Sequence, residues 1–287
     1  MSEEGVDSRQ VPRPFVKWVG GKRRLIAEIV KRIPAAWDPS RDSYVEPFLG
    51  GGALYWHLRP KVARLGDACG ELVRCWQVVR DDASALIEEL GKIEVRYRAD
   101  PEGVYYAERG EDPGGMSAQR AAARFIFINK AGYNGLYREN RRGACNVPWG
   151  RDPQVKILDA ANLERCHEAL QGAEVSVVCE DFERRRPGRR SLVYMDPPYS
   201  PIAQGSFTRF TKVGFGEGDQ GRLLEYASRL ARSGCHVVLS QSADEELVDR
   251  YRDRGFACHR VQVSRPINCQ VHARGEVGEY LIVGGRA

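Results

Sequence analysis

The sequence offers two short clusters whose residue types could do chemistry. The first is Asp196-Pro197-Pro198-Tyr199, directly after the apolar run 192–195. Two successive prolines fix a rigid extended turn and remove two backbone donors. What remains is a pair of acceptors, the Asp196 carboxylate and the Pro197 carbonyl. An exocyclic amino group presents two N–H donors. Two acceptors hold it and let its lone pair develop as it attacks a methyl sulfonium, and Tyr199 supplies a ring on which a base can stack. A proline-stiffened turn alone accounts for neither the acid nor the aromatic. The second cluster is Glu46-Pro47-Phe48-Leu49-Gly50-Gly51-Gly52, followed by Asp67. Glycines at the end of a strand allow a tight turn and close approach of backbone to a ligand. An acid at the end of the next strand can accept hydrogen bonds from both ribose hydroxyls, the arrangement expected for an adenosyl ligand. The G-x-x-x-x-G-K-[ST] phosphate loop is absent, so nothing indicates a triphosphate.

Elements placed by apolar spacing put both clusters at strand ends. Strand patterns are predicted at 43–46, 62–65, 175–179, 192–195, 236–240, 256–263 and 279–283, and helical spacing at 23–32, closed by Pro34, then at 53–58, 223–230 and 244–252. Between 71 and 170 the rhythm changes to helices alone, at 71–80, 83–90, 118–130 and 159–170. The implied fold class is α/β: a doubly wound, Rossmann-like domain interrupted by a mostly helical insert. The predicted boundaries are 1–69 and 171–287 for the two halves of the catalytic domain and 70–170 for the insert.

Composition sets the outer bounds. The chain has 287 residues, 42% hydrophobic and 29% charged, with no stretch near the length of a membrane span. Residues 1–14 are polar and show no secretory pattern, so a cytoplasmic location is expected. The eight cysteines form no C-x-x-C pair and the histidines do not cluster with them, so no metal is expected and the thiols are read as reduced. The net charge of +5 is modest, but residues 119–156 hold eight basic residues against two acids. A basic segment with aromatics and turns suggests a polyanion partner, and a solvated basic face is the competing reading. The run Arg184-Arg185-Arg186-Pro187-Gly188-Arg189-Arg190 reads as a basic loop, either solvated surface or a contact to DNA phosphates.

Phe48 to Gly52 followed, after an insert, by Asp196-Pro197-Pro198-Tyr199 resembles the DNA adenine methyltransferase (Dam) family, in the motif order of its α-group of N6-adenine enzymes. The run from Phe15 to Lys22 resembles the family's N-terminal motif. Asn129 to Asn140 and Asn146-Val147-Pro148 resemble its DNA-recognition segment. The similarity covers nearly all of 15–283.

The resemblance implies an S-adenosylmethionine-dependent methyltransferase fold. It implies contacts to S-adenosylmethionine from Trp18, Lys22, Phe48, Gly50, Gly52, Asp67, Asp181, Phe182 and Asp196, although spacing alone reads Trp18 as a core residue. It implies catalysis by Asp196, Pro197 and Tyr199 on an adenine flipped out of double-stranded DNA. Tyr133 and Leu136 resemble residues that enter the stack beside the extruded base, while an aromatic in such a turn can equally be a core anchor. Arg138 matches the arginine that contacts guanine in enzymes reading GATC, a bidentate contact; Lys17 and Pro148 match other GATC-reading positions. Lys130, Asn134, Asn140 and Arg151 complete the DNA-facing candidates. Tyr137, Glu139 and Lys130 depart from the family's segment and bear on flanking preference. The expected partner is double-stranded DNA, with the enzyme acting as a monomer near the nucleoid and a separate restriction endonuclease as a candidate partner. Methylation of cytosine N4, RNA adenine or a glutamine side chain, and a catalytically silent DNA-binding module, are the alternatives.

Overall fold

The computed structural model describes residues 11–18, 20–140, 143–198, 215–263 and 277–285. Its centre is a seven-stranded sheet in the order β3-β2-β1-β4-β5-β7-β6. The strands are β1 Ser43–Glu46, β2 Val62–Asp67, β3 Glu174–Cys179, β4 Leu192–Met195, β5 His236–Ser242, β6 Ala257–Val263 and β7 Val277–Gly284. β1 pairs in parallel with β2 and β4, β2 with β3, and β4 with β5; β7 runs antiparallel between β5 and β6. The α/β class with helices on both sheet faces agrees with the expectation from the sequence. Each predicted strand is present, with ends displaced by at most two residues.

The alternation of strand side chains explains the two layers. Tyr44, Leu192, Tyr194 and Val238 face one core, and Val45, Val193, Met195, Val237 and Leu239 face the other. Both faces are covered, as parallel sheets require. Helices α3 (Gly70–Asp81) and α7 (Ala160–Gln171) cover the first face beside β2 and β3. Helices α8 (Glu217–Arg232) and α9 (Glu245–Arg252) cover the second beside β5, β6 and β7. Helices α4 (Ala83–Ala99), α5 (Pro101–Gly110) and α6 (Ala118–Ala131) stack outward from α3, and their Tyr97, Tyr105, Phe125 and Phe127 belong to the same core as Tyr44 and Trp76.

Four elements differ from the sequence expectation, one of them α8, which begins six residues before the expected 223. Helix α1 is only Ile26–Val30, because residues 22–25 close a turn through Leu25 N donating to the Lys22 carbonyl (2.8 Å). Helix α4 runs through Gly91 to Ala99, its stripe of Leu86, Leu90, Ile93 and Tyr97 continuing past the glycine. Helix α5 was not anticipated, although Asp100 caps it by accepting from Gly103 N (3.0 Å) and Pro101 opens it, a legible start signal. No described helix is long and apolar enough to cross a membrane, and no group of His, Cys, Asp or Glu suited to a metal ion occurs among the described residues.

Candidate active site and DNA-facing segment

In a doubly wound sheet, ligands bind beyond the carboxyl ends of the strands where chain connection reverses direction. Here that point lies between β1 and β4, which are adjacent. β1 delivers the glycine turn there and β4 delivers Asp196. β2 brings Asp67 and β3 leads to Asp181 and Phe182. Because β7 is antiparallel, its beginning, with Glu279, lies at this same edge, and Glu279 is in register with Ser242 at the end of β5.

The glycine turn is shaped by what covers it. Gly50 and Gly52 have left-handed backbone (φ +50° and +62°), and a Cβ at Gly50 would lie 2.5 Å from Trp18 Cδ1. Asp67 holds the turn: Oδ2 accepts from Gly50 N and Oδ1 from Cys69 N, both at 2.9 Å. Trp76 Nε1 donates to the Gly50 carbonyl (3.1 Å). Burial raises the Asp67 carboxyl's proton affinity, opposed by the backbone N–H groups of Cys69, Gly50 and Ala68. A carboxylate has about four acceptor positions, so these two bonds leave capacity for hydroxyls. Phe48 and Phe182 lie 5.2 Å apart at 30°. Asp181 accepts from Glu183 N (3.0 Å) and pairs with Arg222 (2.7 Å), whose guanidinium also lies over the Phe182 ring.

Asp196 is one-fifth exposed, and Lys22 Nζ lies 3.0 Å from its Oδ1. Burial pushes the Asp196 carboxyl up to about 6, against the lowering effect of Lys22 and with a further raising effect from Glu279. Lys22 is nearly buried, donates to the Gly20 carbonyl (3.1 Å) and lies 3.6 Å from Glu279 Oε2. Glu46, two per cent exposed, accepts from the Tyr44 hydroxyl (2.8 Å), and burial holds its carboxyl well above the usual carboxylate range. Pro197 is buried. Tyr199 lies outside the described residues. The sequence reading gave Glu279 and Glu46 no role; an acid opening an otherwise apolar last strand was the available signal for Glu279.

The DNA-facing candidates gather around the end of α6. Tyr133–Gly135 forms a 3-10 turn in which Asn134 has φ +54°. Tyr133 is 52% exposed and is therefore not a core anchor, while Leu136 is half-buried. The turn is tied to the exposed Pro148 by Tyr133 N donating to its carbonyl (2.9 Å). Residues 138–140 and 143–146 are paired by Asn140 N donating to Ala144 O and Asn146 N donating to Arg138 O. Asn146 Oδ1 accepts from Arg138 Nε, which fixes the direction of the guanidinium. Asn140 Oδ1 accepts from Ala144 N (3.2 Å). Lys17 Nζ donates to the Lys130 carbonyl (3.0 Å), and Arg151 is exposed with φ +58°. Asn129, fully buried and not anticipated, binds both the N–H and carbonyl of Lys17 (2.7 Å each) and the carbonyl of Gly135 (3.0 Å).

The basic excess of 119–156 is only partly available to a partner. Arg124 donates to the carbonyls of Glu108 and Arg109 and pairs with Glu71 (3.3 Å), and Arg120 pairs with Glu108 and Glu111. Lys130 donates to the Ile157 carbonyl (2.7 Å), and burial lowers its ammonium to about 8. Arg185, expected in a solvated or DNA-contacting loop, is buried against the Leu65 carbonyl and Glu180.

Residues 18–267 match the profile of the D12 class N6 adenine-specific DNA methyltransferases. The chain belongs to this family. Among its relatives, the type II methyltransferase M.MjaIII of Methanocaldococcus jannaschii is 34% identical over 287 residues, covering 94% of this chain and 98% of the relative. The DNA adenine methylase of Escherichia coli is 30% identical over 272 residues, covering 94% of each chain. That of Haemophilus influenzae is 28% identical over 276 residues, covering 95% and 94%. The activity class is therefore methylation of adenine N6 in DNA, and both the doubly wound fold and the position of Asp196 fit it.

Proposed function

We propose that this chain transfers the methyl group of S-adenosylmethionine to N6 of an adenine flipped out of duplex DNA, with GATC as the target. The observation that carries the reading is the meeting of Asp196 and the Asp67-bound glycine turn at the reversal point between β4 and β1. The donor set fits the cofactor. Asp67 offers acceptors to ribose hydroxyls, Phe48 and Phe182 offer flat apolar walls to a purine with Asp181 at their edge, and Trp18, Gly50 and Gly52 line the turn. When bound, S-adenosylmethionine supplies an electrophilic methyl group on a sulfonium.

This chain's residues do the rest. Ionised Asp196 and the Pro197 carbonyl accept the two N–H bonds of the amine and aim its lone pair. As positive charge develops on nitrogen, the carboxylate stabilises it where it appears, which lowers the barrier rather than merely binding substrate. Asp196 is also placed to take the proton the nitrogen sheds. Lys22 holds one carboxylate oxygen, Oδ1, and Oδ2 is assigned to the target amine. Tyr199 is assigned to stacking on the flipped base.

On the DNA side, Tyr133, Asn134 and Leu136 fill the space beside the extruded base. Arg138, aimed by Asn146, reads guanine. Lys17, Asn140, Pro148 and Arg151 border the duplex, while Lys130, bound to the Ile157 carbonyl, supports the segment from beneath. In this reading residues 70–170 are the recognition unit between the catalytic halves 1–69 and 171–287, and a monomer methylates each strand in turn.

The test is transfer of labelled methyl from S-adenosylmethionine to unmethylated DNA, followed by nucleoside analysis and methylation mapping. N6-methyladenine within GATC is expected; 4-methylcytosine refutes the chemistry, and a different motif refutes the target. A fluorescent 2-aminopurine at the target adenine is expected to brighten on binding, and an unchanged signal removes base flipping.

A further inference from the structure

The groups that grip the Lys22 ammonium include Asp196 Oδ1 at 3.0 Å, the Gly20 carbonyl at 3.1 Å and Glu279 Oε2 at 3.6 Å. These come from three separate parts of the chain: the turn after β4, the N-terminal segment and the start of β7. Lys22 is 7% exposed and the Glu279 side chain 16%, so the pairs are shielded from solvent and screened little by salt. We propose that Glu279 is a positioning residue for catalysis, holding Lys22 so that it clamps one oxygen of Asp196 and leaves the other to the target amine. The inference rests on the reading of Asp196 as the amine-binding acid.

Geometry gives the reason. A carboxylate bound at one oxygen by a rigid ammonium has little freedom to rotate, so its second oxygen keeps a fixed direction. A lysine is a flexible four-carbon stem with a point charge, and Glu279 draws its ammonium against the pull of Asp196 and the Gly20 carbonyl. Electrostatics gives a second role. Lys22 lowers and Glu279 raises the proton affinity of Asp196, beneath the dominant effect of burial. Among the described residues, Glu46 on β1, which accepts from Tyr44, and Tyr194 on β4, whose hydroxyl is paired with Ser240 (2.9 Å), also interact electrostatically with this carboxyl. Glu279 adds negative charge to a site where, in the proposed reaction, positive charge passes from sulfur to nitrogen.

Two variants test this, measured by single-turnover methylation across pH 5–8 with saturating cofactor and a duplex carrying GATC. Glu279→Gln keeps the shape and an acceptor but removes the charge. Asp196 then holds its proton less tightly, and the acid limb of the rate profile is expected to move to lower pH by several tenths of a unit. Glu279→Ala also removes the acceptor, and its plateau rate is expected to fall roughly tenfold, the equivalent of about 1.4 kcal/mol, while affinities for S-adenosylmethionine and DNA stay within about twofold. A Glu279→Gln enzyme with an unmoved acid limb together with a Glu279→Ala enzyme at the wild-type plateau overturns the proposal, whatever happens to melting temperature. Asp196→Ala is run alongside. If it is inactive while both Glu279 variants behave as wild type, only this inference fails; if it is active, the reading of the site fails first.

Discussion

Adjacent glycines in the turn after β1 should respond unequally to the same substitution. Gly50→Ala places a methyl group on left-handed backbone, which costs an L residue roughly 1–2 kcal/mol. The new Cβ meets Trp18 Cδ1 at 2.5 Å and Nε1 at 2.9 Å, inside contact distance. Trp18 cannot swing away freely, because its ring stacks on Tyr137 (centroids 6.3 Å apart) and packs against Phe125. Overpacking of this kind costs about 1–3 kcal/mol. Restricting the unfolded chain returns roughly 0.4–1 kcal/mol, leaving a net loss of roughly 1–4.5 kcal/mol. Gly51 has no positive φ, and its Cβ would meet Pro14 Cβ at 3.4 Å and Trp18 Cβ at 3.5 Å, ordinary contacts. Gly51→Ala should therefore leave stability within about 0.5 kcal/mol of wild type, as unstrained surface changes do. Urea unfolding followed by circular dichroism and tryptophan fluorescence measures both, and calorimetry with S-adenosylmethionine is expected to show weakened binding for Gly50→Ala alone. If Gly51→Ala costs as much as Gly50→Ala, the turn geometry described here is wrong.

The remaining expectations concern chemistry and recognition. Asp196→Ala should abolish methyl transfer while leaving the fold and most DNA affinity intact; wild-type turnover would remove Asp196 from the site. Asp67→Ala should weaken S-adenosylmethionine binding by roughly 1.5–3 kcal/mol, the range for hydrogen bonds to a charged group, and calorimetry that finds unchanged affinity would exclude Asp67 from ribose binding. Activity should survive a chelator, because transfer from a sulfonium to an amine needs no Lewis acid; loss that a divalent ion restores would contradict this. Arg138→Ala should lose about 1–3 kcal/mol of discrimination at guanine and little elsewhere, as read by methylation mapping on altered sites. An Arg138→Ala enzyme that still rejects those sites would clear the residue of base reading.

The fold was legible where period and punctuation agreed. All seven strands follow from short apolar runs, and the order glycine turn, acid, proline pair marked their carboxyl ends without any contact information. The sheet order itself was not spelled out by local pattern. β7 enters antiparallel between β5 and β6, and that reversal carries Glu279 to the active edge; a strand's direction depends on pairing across the sheet, which its own residues do not encode. Helix α5 was missed although Asp100-Pro101 announces it, because its apolar spacing is sparse: Tyr105 and Glu108 are its buried residues.

Charge was the feature most easily misread. Eight basic residues in 119–156 suggested a face open to a polyanion, yet Arg120 and Arg124 serve acids and carbonyls inside the helical layer and Lys130 serves the Ile157 carbonyl. A linear count cannot separate a cation that packs its own fold from one that waits for phosphate. The same ambiguity hid the polar residues that aim the site. Asn129 and Glu279 each act on a partner distant in sequence, and Asn146 on an arginine eight residues before it, so none stands out by spacing. What the sequence supplied was a set of candidate groups for ligand, Asp67 and Asp196 through residue type and Trp18 and Lys22 through resemblance. What it withheld was the set that holds those groups still, since that depends on which backbone carbonyl or side chain the fold brings within 3 Å.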